Sequence, residues 1–371
     1  MKKTAIALAV AASITSMGSV SAASTEDRLM ALEKRLKYLE QRVASQDEVI
    51  KEKDQQISEL TGGGEGGWFQ NVEIGGVVEV EAQRISPDGG PDESDIYVAT
   101  VELGIAAQIN DWTETEVVLL YEDDGDAELD VDAATISIAD PDSIWTATAG
   151  QYALPFGNFS TNLVSDPITL DAAETVDSAI EFGVANDGLS ASAYVFKGDH
   201  ESEIKNYGVA LSYETETDNF AFSGGLGWIN DISESDSVVD HVDDGGPSML
   251  NKASAWSAFA QFNSGAFTVI GEYVAATDSL DAYSTTEEPS FYNIEAAYNF
   301  DAAGRPATFA VGFQGSDEAS AYAGGMDEER TLAAFSMEIM DGTNLAFEYA
   351  NTEDYAGSDT NTLTGQLAVE F

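Results

Sequence analysis

Carboxylates are the reactive groups this chain holds in quantity. Asp and Glu number 67 against 15 Lys and Arg, the formal charge is −52, and there are two His and no Cys. Many of the acids stand alternately with apolar residues: Glu73, Glu79, Glu81, Glu102, Glu114, Glu116, Glu181, Glu295, Glu338 and Glu348, with Asn293 and Asn299 in the same phase. Carboxylates can serve as acid/base pairs, hold a metal, or line a path for cations. Acyl-transfer chemistry would need a Ser/His pair, and only His200 and His241 are available, both in long polar segments and neither at metal-ligand spacing. Asp123-Asp124-Gly-Asp126 and Asp243-Asp244-Gly-Gly are acidic turns that depart from EF-hand spacing. No phosphate loop and no Gly-x-Ser-x-Gly occurs, so neither a metal nor a cofactor is expected, and no enzyme is read here. The acidity excludes nucleic acid as a partner. It suits cationic solutes passing a ring of carboxylates, or solvation in a saline habitat, since the loops are equally acidic.

The elements that must present these acids are strands. From residue 69 onward the apolar period is two. Val72, Ile74, Gly76, Val78, Val80 and Ala82 share one face; Tyr97, Ala99, Val101, Leu103, Ile105 and Ile109 share the next. Ile180, Phe182 and Val184, then Leu189, Ala191, Ala193 and Val195, continue the pattern, and Leu363, Gly365, Leu367, Val369 and Phe371 end it. Sixteen such segments fall in residues 68–371, about 19 residues for each strand and its connection. The connections alternate in length, seven short (for example 110–111, 186–187, 341–342) and eight long (among them 84–94, 153–175, 231–252 and 315–330). That sorting, with Trp, Tyr and Phe near strand ends (Trp112, Tyr121, Tyr213, Trp228, Tyr273, Tyr298, Phe300), predicts an all-β, 16-stranded antiparallel transmembrane β-barrel of an outer membrane. Its apolar face would meet lipid, and its polar face a water-filled lumen. The last strand would close the barrel on Val72–Ala82, with Phe371 beside Trp68 and Phe69.

Three segments precede the barrel. Residues 1–22 read as a secretory signal: Lys2-Lys3, an apolar run from Ala5 to Ala12, and small residues Val20-Ser21-Ala22. Within the next segment, 23–60, residues 26–60 carry five heptads, with Leu29, Leu36, Val43, Ile50 and Ile57 at a, and Leu32, Leu39 and Leu60 among the d positions. Arg35 and Arg42 at g can pair with Glu40 and Asp47 at e of a neighbouring helix. A short periplasmic coiled coil and self-association are expected; the pattern leaves dimer and trimer open, and a trimer follows by analogy with porins of this size. Thr61–Gly67, with five glycines, is a flexible hinge.

One long connection differs from the rest. Gln151–Glu174 mixes prolines, aromatics and aliphatics where the other loops are small and acidic. Such a segment packs against something: the lumen wall, narrowing the pore, or the mouth as an outer lid. "GQYALPFGNF" followed by "VSDPITLDAAET" resembles the matching segment of the LbtU-type siderophore porins, the legiobactin-uptake family. The layout of signal peptide, short coiled coil and barrel ending in Phe is similar over essentially the whole mature chain. The resemblance implies outer-membrane passage of ferric siderophore, without the plug domain of energy-coupled receptors. It supports Pro155, Phe156, Gly157, Asp166 and Pro167 as loop-shaping residues; with Glu174 these are the candidate constriction. A terminal Phe such as Phe371 is, by the same resemblance, what the barrel assembly machinery reads. Phosphate- and oligosaccharide-selective porins carry a similar Pro-Phe-Gly segment, so the motif alone does not choose the solute. A phosphate channel is disfavoured, because 153–175 holds no Lys or Arg. A general cation-preferring porin and an envelope-tethering barrel are the alternatives.

Overall fold

The computed structural model describes residues 71–122, 129–199, 202–217, 219–243, 251–282 and 285–371. The signal, heptads and hinge lie outside these residues, as do Trp68, Phe69, His200, the Asp123–Asp126 turn and all but the first residue of Asp243-Asp244-Gly-Gly.

In chain order the elements are β1 (Val72–Pro87), β2 (Glu93–Asn110), β3 (Thr113–Glu122), β4 (Asp130–Ala139), β5 (Trp145–Ala153), α1 (Ile168–Ala173), β6 (Val176–Asn186), β7 (Leu189–Phe196), β8 (Asn206–Glu216) and β9 (Ala221–Ile229). Then follow α2 (Asp236–Asp243), β10 (Ala255–Ser264), β11 (Phe267–Ala276), β12 (Leu280–Ala282), β13 (Thr285–Glu287), β14 (Ser290–Ala302), β15 (Arg305–Asp317), β16 (Glu329–Met340), β17 (Thr343–Glu353) and β18 (Asp359–Glu370). Among the described residues, sixteen strands close into one antiparallel barrel in which neighbours in the chain are neighbours in the sheet and β18 returns to β1. β12 and β13 pair only with each other, as a small hairpin inside the connection from β11 to β14.

The barrel is inverted relative to a protein folded in water. Ile180 and Phe182 are 61% and 56% exposed on its outside, whereas Glu295 and Tyr194 inside are 1% and 2% exposed. Strict alternation along each strand produces this, because successive side chains leave the sheet on opposite faces. Two belts of aromatics follow the strand ends. Tyr207 meets Trp228, Trp256 meets Tyr273, and Tyr292 meets Phe313 at the end bearing the long loops, with ring centroids 5.2–5.6 Å apart. Phe220 and Phe262, Phe267 and Tyr298, and Phe300 and Phe335 pair at the short-turn end.

Bulges correct the simple alternation in places. In β2, Glu79 opposes Thr100 while Val80 opposes Val98, so Ala99 is an extra residue. The phase reverses there: Ile96 and Val98 are exposed outside, and Tyr97, expected outside, turns in to donate from its hydroxyl to Glu81 at 2.8 Å. The same device in β4 opposes Val118 with Ala133 and Leu119 with Val131, leaving Asp132 as the bulged residue. The last strand closes on the first as expected, although the paired span, Val77–Pro87, runs further along β1 than Val72–Ala82. Phe371 extends the seam by one step, exchanging main-chain hydrogen bonds of 3.1 Å with Gly76 in both directions. Gly76 is required there: a Cβ would lie 2.4 Å from the Glu102 carbonyl and 3.0 Å from the Phe371 ring.

Candidate functional site

The segment between β5 and β6, residues 154–175, folds into the barrel and is gripped by its main chain. Glu272 on β11 accepts from the amides of Asn158 (2.8 Å) and Phe159 (3.0 Å) and from the Thr169 hydroxyl (3.1 Å). Glu295 on β14 accepts from the Asn162 amide and the Thr161 hydroxyl, both at 2.8 Å, and from Asn293 at 3.0 Å. Glu348 on β17 accepts from the amide of Val164 at 2.7 Å and from the amide and hydroxyl of Ser165. Gln314 on β15 accepts from the Ile168 amide at 3.0 Å. Four wall side chains thus lay the loop along β11 to β17. Charged acceptors make the stronger class of these bonds, and each carboxylate here is buried with its donors supplied.

Pro167 then turns the chain into α1. Its carbonyl accepts from the Leu170 and Asp171 amides (2.8 and 3.2 Å), and Glu174 closes the far end through its amide to the Leu170 carbonyl at 3.0 Å. Arg330 on β16 reaches α1 from the wall, 2.7 Å from Asp171 and 2.7 Å from Asp327. Behind α1 lies an apolar body filling one side of the interior. Leu154, Phe156, Ile168 and Ala172 pack with wall residues Tyr194, Phe196, Ile229 and Phe291, with Ile232 and Val238 from the β9–β10 connection, and with Tyr322 from the β15–β16 connection. Asp236 at the start of α2 clasps this body: both its carboxylate oxygens accept from the Val176 amide (3.0 and 3.1 Å), and its own amide donates to the Glu174 carbonyl at 2.9 Å.

The opposite wall is less covered, its inward Glu79, Glu81, Glu102 and Glu116 remaining half-exposed. Glu79 and Glu81 on β1 share Gln366, at 3.4 and 3.0 Å. Glu102 on β2, Glu116 on β3 and the bulged Asp132 on β4 lie within electrostatic range of one another. Asp166 at the loop tip lies within range of Glu79 and Glu81, and Glu174 within range of Asp132. Carboxylates therefore face each other across the remaining space. Confinement away from bulk water, then repulsion from Asp171 and Glu81, raises Asp166 to about 6. Desolvation, then Asp236 and Asp132, raises Glu174 to about 8. Desolvation raises Asp236 to about 7 against the opposing Val176 amide.

The residues singled out in sequence occupy different parts of this arrangement. Asp166 is exposed to the lumen and Glu174 half-buried beside it. Phe156 and Pro167 are buried in or against the apolar body, Pro155 is half-buried, and Gly157 lies where any Cβ would meet the Phe159 ring at 2.4 Å. Glu79, Glu81, Glu102 and Glu116 line the less covered wall, while Glu295 and Glu348 hold the loop. Glu181 pairs across the strands with Tyr194 beneath the apolar body. Glu73, Glu114 and Glu338 stand on the inner face nearer the short turns, opposite Ala106, Gln108 and Asn344. Asn299 accepts from Thr308 at 2.8 Å. Glu272 and Gln314 were missed, although each stands in the inward phase between Gly271 and Tyr273, and between Phe313 and Gly315. Asp132 hid in a bulge, and Tyr322 and Arg330 carried no signal at all. Among the described residues no group of three or more His, Cys, Asp or Glu is placed to hold a metal ion.

This geometry has relatives. No family model matches the chain. In sequence it is 22% identical over 311 residues to a UPF0422 protein of Coxiella burnetii, covering 79% of this chain and 66% of that protein. It is 25% identical over 296 residues to a UPF0422 protein of Legionella pneumophila, covering 71% of this chain and 55% of that one. The chain thus spans between about half and two thirds of the length of these curated relatives. In structure it resembles outer-membrane channels. The Pseudomonas putida protein OprB has a TM-score of 0.59 at 8% identity, over 81% of this chain and 94% of that one. The outer membrane channel DcaP of Acinetobacter baumannii has 0.57 at 12%, over 81% and 97%. An anion-selective porin from Comamonas acidovorans has 0.57 at 13%, over 81% and 99%. At such identities the likeness is one of fold: a porin-like, 16-stranded closed barrel.

Proposed function

We propose that the chain forms an outer-membrane diffusion channel of a Gram-negative bacterium that favours cationic over anionic solutes. The observation that carries the reading is the passage between loop 154–175 and the β1–β4 wall. Carboxylates stand on both sides of it, Asp166 and Glu174 on the loop, Glu79, Glu81, Glu102, Glu116 and Asp132 on the wall. Arg330, the cation nearest the loop, is already held by Asp171 and Asp327. Facing acids concentrate cations and raise a barrier to anions. The fold is shared with channels in outer membranes, which supports the location, and one of these is anion-selective, so charge preference must come from side chains and not from the barrel.

The cargo that the Gly150–Glu174 resemblance implies is ferric siderophore, and an acidic passage suits one of neutral or positive charge. The channel works as a homotrimer, with the heptads of 26–60 in the periplasm, lipid around the apolar face and the barrel assembly machinery reading Phe371. Reversal potentials of the full chain in a salt gradient across a planar bilayer test the charge preference: a cation-to-anion permeability ratio above about 3 is expected, and a ratio below 1 overturns it. Uptake of iron–siderophore by a deletion strain, compared with uptake of sugars and small cations, tests the cargo. Unchanged siderophore use with reduced flux of the others leaves a general cation-preferring channel.

A further inference from the structure

We propose that Tyr322, in the β15–β16 connection outside the passage, is the positioning residue that holds α1 and hence sets the acidic aperture. The proposal rests on the channel reading above and concerns a residue that never touches the passage. Tyr322 is 2% exposed, its ring 5.1 Å from Phe291 on the barrel wall. Its hydroxyl donates to the Ala172 carbonyl at 2.8 Å, in the last turn of α1. The Ser235 hydroxyl, 3.1 Å away, can donate to the same oxygen, and the Ile232 carbonyl stands 3.3 Å off. One phenol therefore ties together the three connections β5–β6, β9–β10 and β15–β16.

α1 needs that tie. It has six residues, too few to persist alone, and the carbonyls of a last turn have no partners within the helix. Ala172 is fully buried, so no water reaches its carbonyl; the Tyr322 hydroxyl is the partner found there. Arg330 restrains α1 from one side through Asp171, and Tyr322 restrains it from the other. Glu174 follows Ala172 by two residues, so the height and tilt of the helix decide where that carboxylate meets the lumen. A tight turn presents the ring: Ala323 and Gly324 both have positive φ (47° and 84°), and the His241 ring fills the place a Gly324 Cβ would take.

Full-length Tyr322→Phe keeps the ring and removes the tie. In planar bilayers its open-channel noise should rise several-fold and its cation-to-anion permeability ratio fall about twofold, while the folded barrel still migrates as wild type before boiling. Ser235→Ala should give a smaller change of the same kind. A cross-link then separates position from other causes. A Cβ at Gly312 would lie 2.7 Å from Leu163 Cδ1, and the chain has no Cys, so Leu163→Cys with Gly312→Cys offers a single disulfide between loop and wall. Oxidation should return Tyr322→Phe to the noise and ratio of the oxidised pair alone. A readout without current is the rate at which Asp166→Cys reacts with a charged thiol reagent, expected to change several-fold in Tyr322→Phe. Wild-type noise and labelling in Tyr322→Phe, or noise that survives oxidation, overturn the proposal. A wild-type protein that passes no selective current, with labelling still altered by Tyr322→Phe, overturns the channel reading alone.

Discussion

Glu272, Glu295 and Glu348 each bind the loop through main-chain amides, two of them through consecutive pairs. Hydrogen bonds to a charged acceptor contribute about 1.5–3 kcal/mol each, and removing the acceptor also strands its buried donors. Glu295→Ala should therefore free the middle of the loop, raising single-channel conductance and current noise in bilayer recordings with the barrel intact. The lumen acids make a second prediction. Asp166 near 6 and Glu174 near 8 ionise as pH rises, so cation preference should increase from pH 5 to pH 9, and Glu174→Gln should flatten the upper half of that curve in reversal-potential measurements. The sign for stability is opposite. Glu174 and Asp236 lie above their ordinary carboxylate values when the loops are packed, so their contribution is complete below about pH 4 and is lost as pH rises through about 7 to 8. The midpoint of thermal unfolding should fall across that window, and less steeply in Glu174→Gln. Of these residues, Glu295 and Glu348 were legible as inward-facing from alternation alone. Their partners were not, because a hydrogen bond between residues 133 or 184 positions apart leaves no periodic trace.

Strand alternation told most of the fold, and it misled where a bulge changed its phase. The run from Tyr97 to Leu103 reads as continuous alternation only because Ala99 is small and fits either face. The structure places Ile96 and Val98 outside instead. Deleting Ala99 should be tolerated, since Thr100, facing in, then directly follows Val98, facing out, and the alternation is regular. Deleting Leu103 should not, since it turns either half of β2 inside out. Heat-modifiable mobility of the two variants after refolding distinguishes them. Loop lengths were read well at the short turns and poorly at the first long connection: 84–94 contracts to 88–92 because β1 and β2 run on past the apolar belt. The helical body inside the lumen was not legible beyond its first loop. Its three segments come from connections that are ordinary in composition and acquire an apolar face only when brought together.

Closure makes the barrel one cooperative object. β18 and β1 join the two ends of the barrel segment, and the last bond pair of that seam belongs to Phe371 and Gly76. Truncating Phe371 should reduce the fraction of chains that reach the folded, heat-modifiable form, while the channels that do assemble keep wild-type conductance. Gly76→Leu should act in the same direction and more strongly, because its side chain would meet backbone on one side and the terminal ring on the other. Removing residues 26–60 tests the proposed coiled-coil trimer: conductance per barrel should persist while the proposed trimer is lost on native gels.

A clasp made largely of amides depends little on most of the side chains those amides carry. Asn158, Phe159, Asn162, Val164 and Ser165 are all held through their nitrogen, which any residue but proline supplies. The loop can therefore diverge in lineage, or be rewritten at the bench, without losing its seat. A library varied at the lumen-facing positions around Asp166 would sample new cargoes on an unchanged scaffold, provided that proline is left out at the clasped amides and that Gly157 and the bonded hydroxyls of Thr161, Ser165 and Thr169 are kept.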